Sequence, residues 1–464
     1  MRLDKVFCEE NRRRAETFFM GPLYPIIVCA LVVLGYITAL EFYFNTVFLL
    51  MLSVGLVVSH SVRPFIVVLL TYIYQLSIEH CPSMPAHSDY YFTGARFVII
   101  VLMFVLVGVA LVFFFIKNRI FGKDTLKSLP ILIPSAVLAS AFLLNGAFGG
   151  AWSGASLAYG VMQLIGFFAV FYIFYLGFKN EDGKELLDYF VYVSALVALV
   201  LVIETVYVYI SGGVIVDGSA VKDKIVYGWG IWNTAGQAMT VTIPVLFYGV
   251  MRGRRPWFYF AVATVTLVAV LMTLSRSSLI FSCLGFLVGC ILCCFFGERK
   301  RAFRIIVPTG AGGVLLLAFV LRDKILSLLS DLVNRGFSDN GRYELWSYAV
   351  DSFLEAPVFG KGFFGLVTDT FVAADFLPPM IHNTPLQLLA AMGAVGLVAY
   401  IYYRAETVRL FIKNPTLGKS MIAISLITLL GQSLLDNYIF YIHPMFYYSI
   451  ALAVVCRQPS DEEL

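Results

Sequence analysis

Three residues stand where basic or titratable side chains are out of pattern, and together they could handle an anionic substrate and a proton. Arg276, in Thr273-Leu274-Ser275-Arg276-Ser277-Ser278, separates two apolar runs at the tip of a helical hairpin. Charge at mid-bilayer costs roughly 2.5 to 3.5 kcal/mol and less near the surface. The competing reading is an interfacial arginine that snorkels beside serine caps. Arg342 opens a helical stretch, where the competing reading is a solvated loop charge. His382, in Ile381-His382-Asn383-Thr384, immediately precedes an apolar run. A guanidinium fork grips anionic oxygens bidentately, and a free imidazole, with a pKa of about 6.5, offers a neutral base near pH 7. A lone histidine is usually structural. What raises this one is that hydropathy puts it on the same membrane face as both arginines.

Such residues need elements to position them, and composition says what those elements are. With 60% hydrophobic and 13% charged residues over 464 positions, the chain has too little polar surface for a soluble body of this size. The bilayer is therefore its solvent. Apolar runs predict an all-α integral membrane protein of about fourteen spans, at 23–40, 45–60, 64–78, 97–116, 128–146, 157–177, 189–210, 231–250, 256–274, 277–296, 305–321, 384–403, 420–436 and 439–456. The second and third are short enough to form one re-entrant pair, which would leave about twelve. Of the 33 Lys and Arg residues, 24 then fall on one side and 9 on the other, so both termini are expected in the cytoplasm.

The net charge of +4 says less than where the cations sit, and nothing suggests nucleic-acid binding. Arg2, Lys5, Arg12, Arg13 and Arg14 precede an apolar run with no clear small-residue cleavage site, which reads as a cytoplasmic flank and uncleaved anchor. Cys81 is the one thiol expected outside, so no external disulfide can form within the chain.

Three parts follow: 1–321 with the first eleven spans, an external loop at 322–383, and 384–464 with the last three spans and a tail. The loop is too long for a simple connection. Within it, Tyr343, Trp346, Val350, Phe353 and Leu354 share one helical face, which predicts an amphipathic helix at the membrane surface. Ser338, Asp339 and Asn340 are its cap candidates, and Pro357 ends it. Gly360-Lys361-Gly362 and Gly365 then break regular structure. A glycine-rich turn beside a lysine can cradle phosphate, although a plain loop is the stronger reading of three glycines alone.

The ordered set Thr-Leu-Ser-Arg-Ser-Ser, then Gly-Arg-Tyr-Glu-Leu-Trp-Ser-Tyr-Ala with Ala356-Pro357-Val358-Phe359-Gly360-Lys361-Gly362, then His382-Asn383 with Gly393-Ala394-Val395-Gly396-Leu397, resembles the O-antigen ligase and Wzy-type polysaccharide polymerase superfamily. The likeness is best from Tyr227 to Ala399; the first 200 or so residues share only hydropathy. It implies a membrane glycosyltransferase of the C-type architecture, acting without metal or other cofactor in the bacterial cytoplasmic (inner) membrane. The donor implied is a glycan on undecaprenyl diphosphate, and the acceptor a second glycan or a lipid. On that basis Arg276 and Arg342 would bind the diphosphate and His382 would take the acceptor's proton. Lys361, Asn383 and Asp436 would contact substrate, Asp436 either orienting a sugar hydroxyl or merely capping a helix. Polymerisation of repeat units is the favoured outcome, because no separate acceptor-docking module is apparent. Ligation to lipid A core or another acceptor is the alternative. A transporter of lipid-linked glycans is the rival from another class, though its polar signals belong at midplane rather than in an external loop.

Overall fold

The structure, a computed structural model, describes residues 9–77, 79–80, 89–122, 125, 128–147, 152–211, 213–216, 219–228, 230–320, 322, 342–366 and 378–458. Ser338, Asp339, Asn340 and Cys81 lie outside them. Nearly all the described secondary structure is helical, as the bilayer requires, because a helix satisfies its own backbone groups where no water can. Two short antiparallel hairpins, Ile215–Val216 with Ser219–Ala220 and Val226–Tyr227 with Gly230–Ile231, are the exception.

A helix occupies each predicted apolar run, but the runs are not equal as spans. Seven described helices are long and apolar enough to cross a membrane, or eight if the bent pair Glu10–Met20 and Leu23–Thr38 forms one span. Leu132–Leu143, Pro256–Met272, Leu417–Ser433 and Ile442–Val455 are apolar but have only 12 to 17 residues. At 1.5 Å per residue they rise about 18 to 26 Å, short of a hydrocarbon core of about 30 Å. The run at 64–78 becomes a nine-residue helix, Arg63–Thr71, and one 3-10 turn. The chain is thus a multi-pass helical membrane protein with a smaller set of full-length spans than hydropathy suggested.

Successive helices run in opposite directions, as contacts between their ends show. At one end, Tyr207 and Tyr209 donate to the carbonyls of Ile37 and Met272, and Thr384 donates to Ser433. At the other, Lys117 donates to Val57, Val58 and Ser59, Arg457 to Tyr175, and Gln458 to Gly183. The helix Trp232–Arg252 is the axle. It has the lowest mean hydropathy of the seven, 1.2, and the most buried window, at 94%. Gly94–Lys117, with a mean hydropathy of 3.4 and 22% buried, lies at the periphery. A helix enclosed by protein can carry Gln237, Thr240 and Thr242; one that meets lipid cannot.

Candidate functional site

Thr384–Ile412 begins with Asn383 as its cap, whose side chain accepts from Leu386 N at 3.1 Å and donates to Leu434 O at 3.2 Å. The residue before that cap, His382, sits at φ +55°. Positive φ is uncommon for a residue with a Cβ and persists only where neighbours over-determine it. Here Gln387 does so, accepting from Ile381 N at 2.7 Å, donating to Pro379 O at 3.2 Å, and accepting from the buried Asn437 amide at 2.7 Å. The approach to His382 is therefore clamped from inside the helix that follows it.

The imidazole is aimed by a carboxylate. His382 Nδ1 lies 2.8 Å from Asp436 Oδ1, with the histidine side chain 36% exposed and the aspartate 7%. A carboxylate only accepts, so Nδ1 carries the hydrogen, and in a neutral ring the lone pair is then on Nε2. The second oxygen, Asp436 Oδ2, accepts from Gln237 at 3.3 Å and Asn233 at 3.5 Å. Asp436 was expected to orient a sugar hydroxyl or cap a helix; within the protein its two oxygens meet an imidazole and two amides.

Arg276 is the first residue of the helix Arg276–Phe296, behind Ser275, and Leu274 just before it has φ +58°. That hairpin tip docks on the same axle. Thr240 donates to Ser278 O at 3.1 Å, and a Cβ on Gly236 would meet Thr273 and Ser278 hydroxyl oxygens at 2.8 and 2.9 Å. Gln237 and Gly236 are neighbours, so one turn of Trp232–Arg252 holds Asp436 with one residue and the Arg276 hairpin with the next. Arg276 itself is exposed and makes no hydrogen bond or ion pair among the described residues.

Arg342 starts the expected amphipathic helix, Arg342–Glu355, which packs against Thr384–Ile412, and its side chain is half-buried. It too has no polar partner among the described residues. The apolar face of that helix divides: Trp346 and Phe353 are partly covered, whereas Tyr343, Val350 and Leu354 stay exposed beside the acidic Asp351 and Glu355. Half-covered, half-exposed apolar residues next to acids suit a helix lying at a membrane surface.

The Gly-Lys-Gly turn folds quite differently from a phosphate cradle. Thr384–Ile412 is broken at Gly393, with φ +63° and ψ −162°, and the chain 357–362 fills the break. Lys361 N and Gly362 N donate to Ala390 O and Ala391 O, while Ala394 N and Val395 N donate to Pro357 O and Val358 O, at 2.8 to 3.2 Å. A Cβ on Gly393 would fall on the Val358 carbonyl, and one on Gly360 on the Ala391–Met392 peptide. The glycines serve backbone contact. Lys361 Nζ pairs with Glu355 at 2.6 Å and lies 5.8 Å from the Tyr348 ring.

Glu204 is fully buried in Gly183–Ser211, and neither carboxylate oxygen has a hydrogen-bond partner among the described residues. Gln237, Asn233 and Gln387 are the residues that sequence reasoning did not assign to the site. Their signal was present: amides four apart on an apolar helix, and a glutamine one turn inside another, are costly unless they are bonded.

These features define a class first: a multi-pass helical membrane protein with a clamped histidine–aspartate pair before one helix, and two arginines that each open another helix and have no polar partner among the described residues. Residues 260–401 then match the O-antigen ligase family, Wzy_C, and form a domain of that family. Its members are membrane glycosyltransferase-type enzymes of polysaccharide and lipopolysaccharide biosynthesis. The domain contains Arg276, Arg342, Lys361, His382 and Asn383, and excludes Asn233, Gln237 and Asp436. No curated protein matches the chain.

Proposed function

We propose that the chain transfers glycan from an undecaprenyl-diphosphate donor to an acceptor hydroxyl on the outer face of a bacterial cytoplasmic membrane, with both termini inside. The observation that carries this reading is the His382–Asp436 pair, whose geometry leaves Nε2 free on a partly exposed side chain. The acceptor O–H attacks the anomeric carbon, and its proton passes to Nε2. A new C–O bond forms as the anomeric C–O bond to phosphate breaks, and the electron pair leaves on the diphosphate. Arg276 and Arg342 stabilise that growing charge; neither has a carboxylate partner among the described residues. Asp436 holds the imidazole in one tautomer and favours the imidazolium that forms. Asn383 sits beside the imidazole and keeps the acceptor side of the site open by capping its helix.

Polymerisation of lipid-linked repeat units is the primary reading, and ligation to a different acceptor the second; the name of the matched family favours the second. The deciding experiment supplies purified protein in lipid with a lipid-linked donor, alone and then with a candidate lipid acceptor. Longer lipid-linked chains from donor alone support polymerisation, and a new conjugate formed only with the acceptor supports ligation. If labelled glycan crosses the bilayer unchanged and no bond forms, the molecule is a transporter and the proposal fails.

A further inference from the structure

At the end of the bundle opposite His382, a cavity of about 210 Å³ opens between Pro130, Tyr175, Leu410, Lys413, Asn414, Lys419, Val455 and Cys456. Its lining is divided. Pro130, Leu410 and Val455 give it an apolar side where helices leave the membrane, and Lys413 and Lys419 give it a cationic one. Lys419 is 7% exposed, and its ammonium donates to Lys413 O at 3.2 Å and Asn414 O at 3.1 Å, using two of its three N–H groups. Arg457, next to the lining residue Cys456, donates to Tyr175 O at 2.6 Å and lies 4.3 Å above the Tyr175 ring. Lys413 is exposed and makes no side-chain hydrogen bond among the described residues.

Backbone carbonyls satisfy the hydrogen bonds of these groups but carry no formal charge. None of the three cations has a carboxylate partner among the described residues; the nearby Arg409 does, pairing with Glu406. Lys413 and Lys419 in the lining, and Arg457 beside it, therefore have no counter-charge among the described residues, and burial makes that more expensive for Lys419 than for a surface lysine. An anion with an apolar tail would supply the charge and cover Leu410 and Val455 together. A soluble anion would supply only the first.

We propose that this cavity binds the phosphate headgroup of an anionic phospholipid, with the glycerol and upper acyl chain against Pro130, Leu410 and Val455. The site is independent of the transfer chemistry; only its assignment to the cytoplasmic leaflet rests on the orientation proposed above.

The test is native mass spectrometry of the full chain in detergent, titrated with phosphatidylglycerol, with phosphatidylcholine, and with inorganic phosphate as competitor. Expected is selective retention of phosphatidylglycerol, weakened about fivefold by Lys413→Gln and more by Lys413→Glu, since each basic residue near an anionic surface contributes on that order. Because Lys413 is exposed, these variants keep the fold, which unchanged thermal unfolding without lipid would verify. Equal retention of the two lipids, no effect of Lys413→Glu, or displacement of the lipid by millimolar phosphate would overturn the proposal. None of these outcomes depends on whether glycan is transferred, so loss of the enzymatic reading would leave the lipid result standing, and the reverse.

Discussion

Two groups of cations in this bundle are held differently. Where Thr384–Ile412 ends, several basic groups are engaged by the protein, though Lys413 is not: Arg63 pairs with Glu181, Lys117 donates to three carbonyls, and Arg457 and Lys419 grip others. Where that helix begins, the Asp436 carboxylate is engaged but Arg276 is not. Asp436 has His382, Gln237 and Asn233, while Arg276 and Arg342 have no partner among the described residues. A cation that holds a fold together uses its donors on that fold. One that awaits a ligand keeps them.

The largest effect should come from the imidazole. His382→Ala is expected to lower the transfer rate by about 10² to 10⁴, the usual range for a positioned general base, with the protein still folded. Asp436→Asn should lower kcat with little change in KM, and Asp436→Glu should recover part of it, because the carboxylate acts through the histidine. Near-normal transfer in His382→Ala, measured on purified protein with lipid-linked donor, would remove the base from the mechanism.

At the opposite end the prediction is of stability alone. Arg63 and Glu181 are 10% and 3% exposed, and removing one partner of a buried pair typically costs about 3 to 5 kcal/mol. Arg63→Met should thus unfold at a markedly lower temperature, and Arg63→Met with Glu181→Met should recover much of the loss. Transfer per folded molecule should not change. A fall in that specific rate, with stability intact, would erase the distinction between the two groups.

Arg276→Lys and Arg342→Lys are expected to reduce transfer by about 10² to 10³, although charge is kept, because an ammonium cannot reproduce the bidentate fork. Thermal unfolding of both should stay near that of the parent protein. If either variant is chiefly unstable, that arginine belongs with Arg63 instead.

Much of this architecture was legible because lipid leaves so few options. A run of apolar residues long enough to span must be helical, and the positions of the helices follow from hydropathy alone. Their sufficiency as spans does not, because helix length is set by where turns and caps fall, as at Leu132–Leu143. The arginines and histidine were legible as anomalies of type and place. Their support was not. His382 and Asp436 are 54 residues apart in sequence, and Gln237 and Asp436 are 199 apart, so only the packing of helices brings them together. The Gly393 break was equally hidden, since a glycine within an apolar helix gives no sign that another segment will occupy its place. Gly393→Ala should test that packing, costing about 1 to 3 kcal/mol through strain at φ +63°, with loss of folded yield as the readout.

The smallest effect separates the two roles open to Lys361. Sequence put this lysine near the donor because it lies in a glycine-rich turn, and geometry ties its ammonium to Glu355, a residue 66% exposed, on the surface helix. Such a pair contributes about 0 to 1 kcal/mol, so its chief consequence is to hold Arg342–Glu355 against the turn that plugs the Gly393 break. Lys361→Gln and Glu355→Gln should therefore resemble each other, each changing transfer by no more than about threefold. If Lys361 instead binds diphosphate, the two variants must diverge. Removing the lysine would raise KM for the lipid-linked donor by at least tenfold, and removing the glutamate would lower it by freeing the ammonium for the donor. Measuring KM for both variants on the same donor preparation decides whether Lys361 serves the fold, as Arg63 does, or the donor.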